Sequence, residues 1–448
     1  MTIYYPLSSE RSKRAIYHCI MQHRSRKHDV EVRDQAGYGE LIRSNVNFRR
    51  LWVGNIVSLL GDWFNTIALY TLVTKLTASP FALGAVFIFK MLPWALASPV
   101  AGIIVDRFNR RRLMIGSDLV RAVIVLGFLL IDEAGDVYWL YGLIAAQVIV
   151  GSVFVPARSA SIPNIVSPRE LLTANAMMAA TWSVMLAVGA ALGGFATELF
   201  GVQVVFWLDS ATYLVSALFI IRTVIPQQTD KAPSGPVLRV AARQIAEGWQ
   251  RMRAVPRVGR IALAKAMWAV GGGSLIYLLT LLGEEIAPEA LAAGIGILFM
   301  ARGIGTGIGP ILARRYFKDE SHWIWLLGAC VVFSGLCYLV VGWISWALAL
   351  VIGLVVLAHA AGGANWVLST VLLQKRTEDR FRGRVFATDW LLVMLAETFS
   401  IVVASLLLEY QILDLRLSFM VFALIQVICG LLWIGIVVPR ERATVLSE

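Results

Sequence analysis

The sequence predicts an all-α polytopic membrane protein with twelve transmembrane helices in two six-helix halves. Three observations carry that expectation. Hydrophobic residues make up 58% of the 448-residue chain and charged residues only 15%, which leaves too little polar surface to coat a water-soluble body of this size. Twelve stretches reach the roughly 20 apolar residues that a bilayer core demands. The loops between them alternate in charge. Only Lys75 and Arg416 of the 40 Lys and Arg lie on one side, against the acids Asp132, Glu133, Asp136, Glu198, Glu284, Glu285, Glu289, Glu409 and Asp414. Lys90, Arg121, Lys265 and Arg302 fall within spans, and every other base collects on the opposite side. The positive-inside rule makes that side cytoplasmic. The expected location is the inner (plasma) membrane, multi-pass, with both termini in the cytosol.

Taken in order, residues 1–50 form a basic cytoplasmic tail with ten Lys or Arg against five acids. The tail lacks the apolar core of a signal peptide, so no cleavage is expected. It reads as a solvated extension, or as a start codon placed too early with Met21 as the true start, and its bases suit anionic lipid headgroups. The N-terminal half, 51–221, carries spans near 51–73, 81–104, 113–131, 138–157, 174–197 and 203–221. A central cytoplasmic loop at 222–260 holds Pro226, the Lys-Ala-Pro-Ser-Gly-Pro segment at 231–236 and arginines from Arg239 to Arg260. It shows no core-forming pattern. The C-terminal half, 261–438, carries spans near 261–282, 289–313, 323–342, 346–370, 386–408 and 417–438, followed by a cytoplasmic tail at 439–448. A faint repeat links the halves: Gly102 with Arg107 matches Gly309 with Arg314 at an offset of 207 residues. Such repeats imply two parallel six-helix units facing one cavity.

The loop after the second span is the most specific signal. Gly102, Asp106 and Arg107 precede Arg110, Arg111 and Arg112. The glycine suits close helix approach, the aspartate suits a neighbouring helix N-terminus, and the arginines hold the loop cytoplasmic. The pattern resembles the loop between helices 2 and 3 of the major facilitator superfamily. Further stretches, Ser-Leu-Leu-Gly-Asp-Trp at 58–63, Leu-Thr-Ala-Ser-Pro at 76–80, Ser-Asp-Leu-Val-Arg at 117–121, Pro-Ala-Arg-Ser-Ala at 156–160 and Arg-Gly-Arg-Val-Phe at 382–386, are similar to its enterobactin-exporter and macrolide-efflux branch. The chain departs from the drug-antiporter pattern at Gln147 and Gly151, which lack the preceding arginine in span 4, and at Ala190, where antiporters usually show Pro. The resemblance implies a gating role for Gly102, Asp106, Arg107, Arg110 and Arg111. Asp118 and Arg121, one helical turn apart, are expected to brace that loop.

A charge near the middle of a span costs roughly 2.5–3.5 kcal/mol and needs a reason. Asp62, Lys90, Arg302 and Glu397 are such charges. At about 1.5 Å of rise per residue, Asp62 and Lys90 differ in depth by roughly 4–5 Å and Glu397 and Arg302 by almost nothing. Both pairs are therefore candidate ion pairs or proton-coupling sites, since the resemblance puts helices 1, 2, 8 and 11 around the cavity. Trp63, His359, Asn365 and Trp366 are candidate cavity residues. Asp209, near the end of span 6, reads as a headgroup-facing or loop-capping residue. The glycines Gly303, Gly305, Gly307 and Gly309 permit small-x-x-x-small helix contacts.

No phosphate-binding Gly-x-x-x-x-Gly-Lys loop occurs, and Cys19, Cys330, Cys337 and Cys429 lack metal or redox spacing. No cofactor, metal or enzymatic activity is expected. Basic residues confined to short loops argue against nucleic acid as a partner. The leading expectation is a monomeric secondary transporter that exports small amphipathic organic molecules, drug- or siderophore-like, by antiport with a proton or another ion. Movement of a lysolipid, metal or nutrient, or a non-transporting sensor, remains the alternative.

Overall fold

The computed structural model describes residues 35–227, 235–344 and 347–447. Cys19, Met21 and most of the basic tail, with 228–234 of the central loop, fall outside the described residues. Every regular element among the described residues is helical. Among the described residues eleven helices are long and apolar enough to cross a membrane. One of them, Pro168–Ile221, is broken at Gly201, whose φ of 81° and ψ of 162° interrupt the helix, so it supplies two spans and the bundle has twelve.

In chain order the spans are α1 (Val46–Thr77), α2 (Pro80–Arg107), α3 (Arg110–Gly127), α4 (Val137–Gly151, continued by Phe154–Ile165), α5 and α6 (168–200 and 202–221) and α7 (Pro256–Ile286). They continue as α8 (Leu291–Tyr316), α9 (Trp323–Trp343), α10 (Leu348–Arg376), α11 (Asp379–Glu409) and α12 (Leu415–Leu432), which runs through a π-helical turn into Val438–Ser447. Several starts are fixed by side-chain caps that satisfy otherwise orphaned N–H groups. Asn45 accepts from Phe48, Ser79 from Ala82, Asn109 from Arg112 and Asp414 from Leu417. The helices overrun the apolar stretches that announced them, α5 and α11 by several residues at the basic end. Hydropathy marks the hydrocarbon core, whereas polar caps let a helix continue into the interface.

The central loop differs from expectation. Val237–Ala254 forms an amphipathic linker helix that packs on α11, α7 and α2. Gly248 makes the approach possible, because a Cβ there would lie 2.3 Å from the Arg384 carbonyl oxygen. Glu247 pairs with Arg384 at 2.7 Å, and Arg251 with Glu378. The end of the N-terminal tail is also ordered: a short helix, Tyr38–Ser44, buries Leu41 next to the equally buried Phe48.

Within the first half α1 packs on α5 and α6, and within the second α7 packs on α11 and α12 while α8 packs on α10. The halves meet where α5 lies on α8 and α2 on α11. At the first contact Gly194 and Gly296 face each other, and a Cβ on Gly194 would sit 2.5 Å from the Ala292 carbonyl oxygen. The alternate glycines of α8 divide their work: Gly303 abuts Ala187 of α5, and Gly305 and Gly309 abut α10. At the acidic end of the bundle the Tyr277 hydroxyl donates to the Pro80 carbonyl at 2.7 Å, Ser79 Oγ and the Phe81 N–H donate to Glu409 at 2.7 and 3.0 Å, and the Ala292 N–H donates to Glu198 at 3.3 Å. The two halves are thus joined across that end.

Candidate functional site

Inward of this seal lies a cavity of about 420 Å³, walled by α1, α2, α3, α4, α5 and α6 on one side and α7, α8 and α11 on the other. Aromatic rings close it toward the acidic end. Tyr70 stacks on Phe87 at 4.5 Å and meets Phe299 at 5.9 Å, Phe87 meets Tyr277 edge-on at 5.8 Å, and Trp63 meets Phe299 at 6.3 Å. Asp62, Lys90, Arg121, Arg302 and Glu397 all reach its wall.

The first-half wall carries a continuous polar network. Arg121 reaches from α3 to Asp118, one turn away, and to Asp62 on α1 at 3.8 Å. Its guanidinium lies 4.3 Å from the Tyr213 ring centre and 5.0 Å from that of Phe154. The Tyr213 hydroxyl donates to Asp62, and Gln147 Nε2 donates to that hydroxyl at 3.1 Å. Behind Asp62, Asp209 of α6 accepts from Asn65 Nδ2 at 2.6 Å. Gly61 allows this, since a Cβ there would sit 2.4 Å from Asp209 Oδ1. Consecutive residues therefore act in three directions: Gly61 admits Asp209, Asp62 faces the cavity and Trp63 packs on Gly189. Lys90 donates to Thr66 Oγ1 at 2.7 Å.

The second-half wall is less satisfied. Arg302 makes no ion pair among the described residues and lies 5.5 Å from the Phe299 ring centre. Glu397 is 5% exposed, and its Oε2 has no hydrogen-bond partner among the described residues. A family model described as the Major Facilitator Superfamily matches residues 51–388. The chain belongs to that superfamily. Its members are transporters and not enzymes. Among relatives, a putative bacilysin exporter, BacE, of Bacillus subtilis is 23% identical over 76% of this chain and 83% of its own length. Macrolide efflux protein A of Streptococcus pyogenes is 20% identical over 81% of this chain and 89% of its own. A crystal structure of a bacterial homologue of the human lysosomal transporter Spinster superposes with a TM-score of 0.68 at 14% identity, covering 86% of this chain and 95% of that one. The fold expected from the loop after the second span, and the efflux-type resemblance expected from the further stretches, therefore hold.

Against this major facilitator frame several expected sites move. Asp62 and Lys90 share the cavity but form no ion pair, because Thr66 lies between them and Arg121 takes Asp62. Arg302 and Glu397 share it unpaired. Asp118 and Arg121 do not brace the gating loop: Asp118 is fully buried and both join the Asp62 network. Asp209 faces neither headgroups nor a loop and is fully buried behind Asp62. Of the candidate cavity residues only Trp63 lines the space. His359 bonds Tyr338 at 2.7 Å, Asn365 donates to the Leu327 carbonyl at 3.0 Å, and Trp366 packs on Trp390 at 5.1 Å. These three hold α10 to α9 and α11 instead.

In the loop between α2 and α3 a Cβ on Gly102 would meet nothing within 4 Å, so this glycine makes no close helix contact here. Asp106 is exposed and caps no helix among the described residues. Arg107 donates to the Gly235 carbonyl at 2.7 Å, Arg110 to the Ala160 carbonyl at 2.8 Å and Arg111 to the last carbonyls of α6, Ile220 and Ile221. Sequence reasoning missed one pair altogether. Lys265 of α7 meets Asp389 of α11 at 2.7 Å with both nearly fully buried. The in-span Lys265 was the available signal, since a buried cation calls for a buried acid.

Proposed function

We propose that the protein exports small amphipathic organic molecules by alternating access, driven by a proton moving the opposite way. The carrying observation is Glu397: a buried carboxyl whose Oε2 has no hydrogen-bond partner among the described residues, on the wall of a cavity that both halves enclose. Arg302 lines the same wall from α8, so a shift of α11 relative to α8 changes the charge that the carboxyl meets. Asp62, tied to Arg121 and Tyr213, is the second candidate.

The basic end is read as cytoplasmic on the positive-inside rule. In this reading the seal among Ser79, Pro80, Tyr277 and Glu409 closes the outward side, and the exposed Asp106 belongs to a latch that forms in the opposite conformer. An anion at a helix N-terminus is worth up to about 2 kcal/mol. That is enough to bias one conformer while remaining reversible by ligand or proton. Energetics permit the coupling, since one proton at about 150 mV supplies about 3.5 kcal/mol, equivalent to a gradient of a few hundredfold. The named relatives BacE and macrolide efflux protein A support the export direction. Uptake of a panel of amphipathic compounds into everted membrane vesicles tests this reading. Accumulation of at least one compound that disappears when a protonophore collapses the gradient supports it, and accumulation indifferent to the gradient refutes the coupling.

A further inference from the structure

We infer that the exported molecule carries an anionic group, and that Lys90 and Arg302 clamp it from opposite halves just beneath the aromatic seal. The inference rests on the export reading and names the chemistry of its cargo. The two cations are placed alike. Both α2 and α8 run from the acidic to the basic end, Lys90 follows Phe87 by three residues, and Arg302 follows Phe299 by three. Each cation therefore lies about 4.5 Å inward of its aromatic neighbour, at matching depth on facing walls of one cavity.

Charge accounting at the wall favours an anion. Asp62 is held by Tyr213 and Arg121, and Asp118 by Arg121. Asp209 is held by Asn65 and Thr212. These contacts also occupy Arg121. What remains facing the cavity without an ion pair, among the described residues, is Lys90, Arg302 and Glu397. Of the five charged groups that line the cavity, three are cations, Lys90, Arg121 and Arg302, and two are carboxylates, Asp62 and Glu397, in a membrane-embedded space where an unpaired charge is costly. Lys90 spends one donor on Thr66 and keeps the others. Arg302 offers a planar fork suited to a carboxylate. Both bonds would be charge-assisted. The rest of the ligand would then lie toward the basic end, among Leu59, Met91, Trp94, Val155 and Trp182, an apolar surface that suits an amphipath.

Equilibrium binding to the purified full chain, by titration calorimetry, tests this with phenylhexanoate, phenylhexanamide and phenylhexylammonium, which share one tail and differ in charge. The carboxylate is expected to bind about tenfold or more tightly than the amide. Lys90→Gln and Arg302→Gln should each erase most of that advantage, whereas Lys90→Arg should keep it. A thermal unfolding midpoint close to that of the unmodified chain shows that each variant is folded. An amide or ammonium that binds as well as the carboxylate, no carboxylate binding, or an advantage that survives the double Gln variant overturns the clamp. Everted-vesicle transport of the same probes separates the two proposals. Gradient-driven accumulation of the ammonium alone sinks the clamp and keeps export. A charge-dependent binding profile with no transport of any probe sinks export and keeps the clamp.

Discussion

Arg302 on α8 and Glu397 on α11 face the same cavity without forming an ion pair, and Glu397 Oε2 is left with no partner among the described residues. On the first-half side of the cavity, by contrast, the carboxylates have partners: Asp62 has Arg121 and Tyr213, Asp118 has Arg121, and Asp209 has Asn65. The asymmetry puts the adjustable charge in the second half.

Asp106→Asn should leave thermal stability nearly unchanged, within about 0.5 kcal/mol, because the exposed carboxylate has no hydrogen bond or ion pair among the described residues. Transport should nevertheless fall well below half, the anion being needed in the other conformer. Unfolding midpoints and vesicle efflux rates measured on the same preparation check both parts. Near-normal efflux would reduce the loop to a topology determinant.

The buried Lys265–Asp389 pair makes a stability prediction. Lys265→Met strands a carboxylate whose Oδ1 already lacks a hydrogen-bond partner among the described residues, and should cost about 3–5 kcal/mol. Adding Asp389→Leu should restore most of that loss, since a well-packed apolar pair often equals a buried ion pair. Thermal unfolding of the single and double variants in one detergent provides the comparison.

Gly194→Ala inserts a methyl 2.5 Å from the Ala292 carbonyl oxygen and should force α5 from α8 at the acidic end. Ile276→Cys, in a background with the native cysteines replaced by Ser, reports on the cavity below. Its labelling by an impermeant maleimide from the acidic face should rise severalfold with Gly194→Ala. Unchanged labelling would mean that this contact does not hold the seal.

The spans were legible because a membrane helix announces itself by length and apolarity alone, and the interrupted chemistry of Gly201 did not hide the division into α5 and α6. The in-span charges were legible too, since each is expensive. Their partners were not. A helix that is apolar all round gives no face to read, so nothing in the spacing said that Arg121 would turn from the gating loop toward Asp62, or that Asp209 would sit behind it. His359 and Asn365 looked like cavity residues for the same reason and proved to be packing bonds of α10. The linker helix had a readable signal, with Val237, Ala241, Ile245, Gly248 and Met252 at helical spacing. The surrounding arginines masked it.

Proton coupling through Glu397 is tested most directly by Glu397→Gln in proteoliposomes, with substrate exchange and gradient-driven accumulation measured side by side. The amide imitates the protonated carboxyl, so exchange at equal concentrations should persist while accumulation no longer follows the proton gradient. Accumulation that survives at the wild-type level in this variant would contradict a coupling role for Glu397 and move the proton to Asp62.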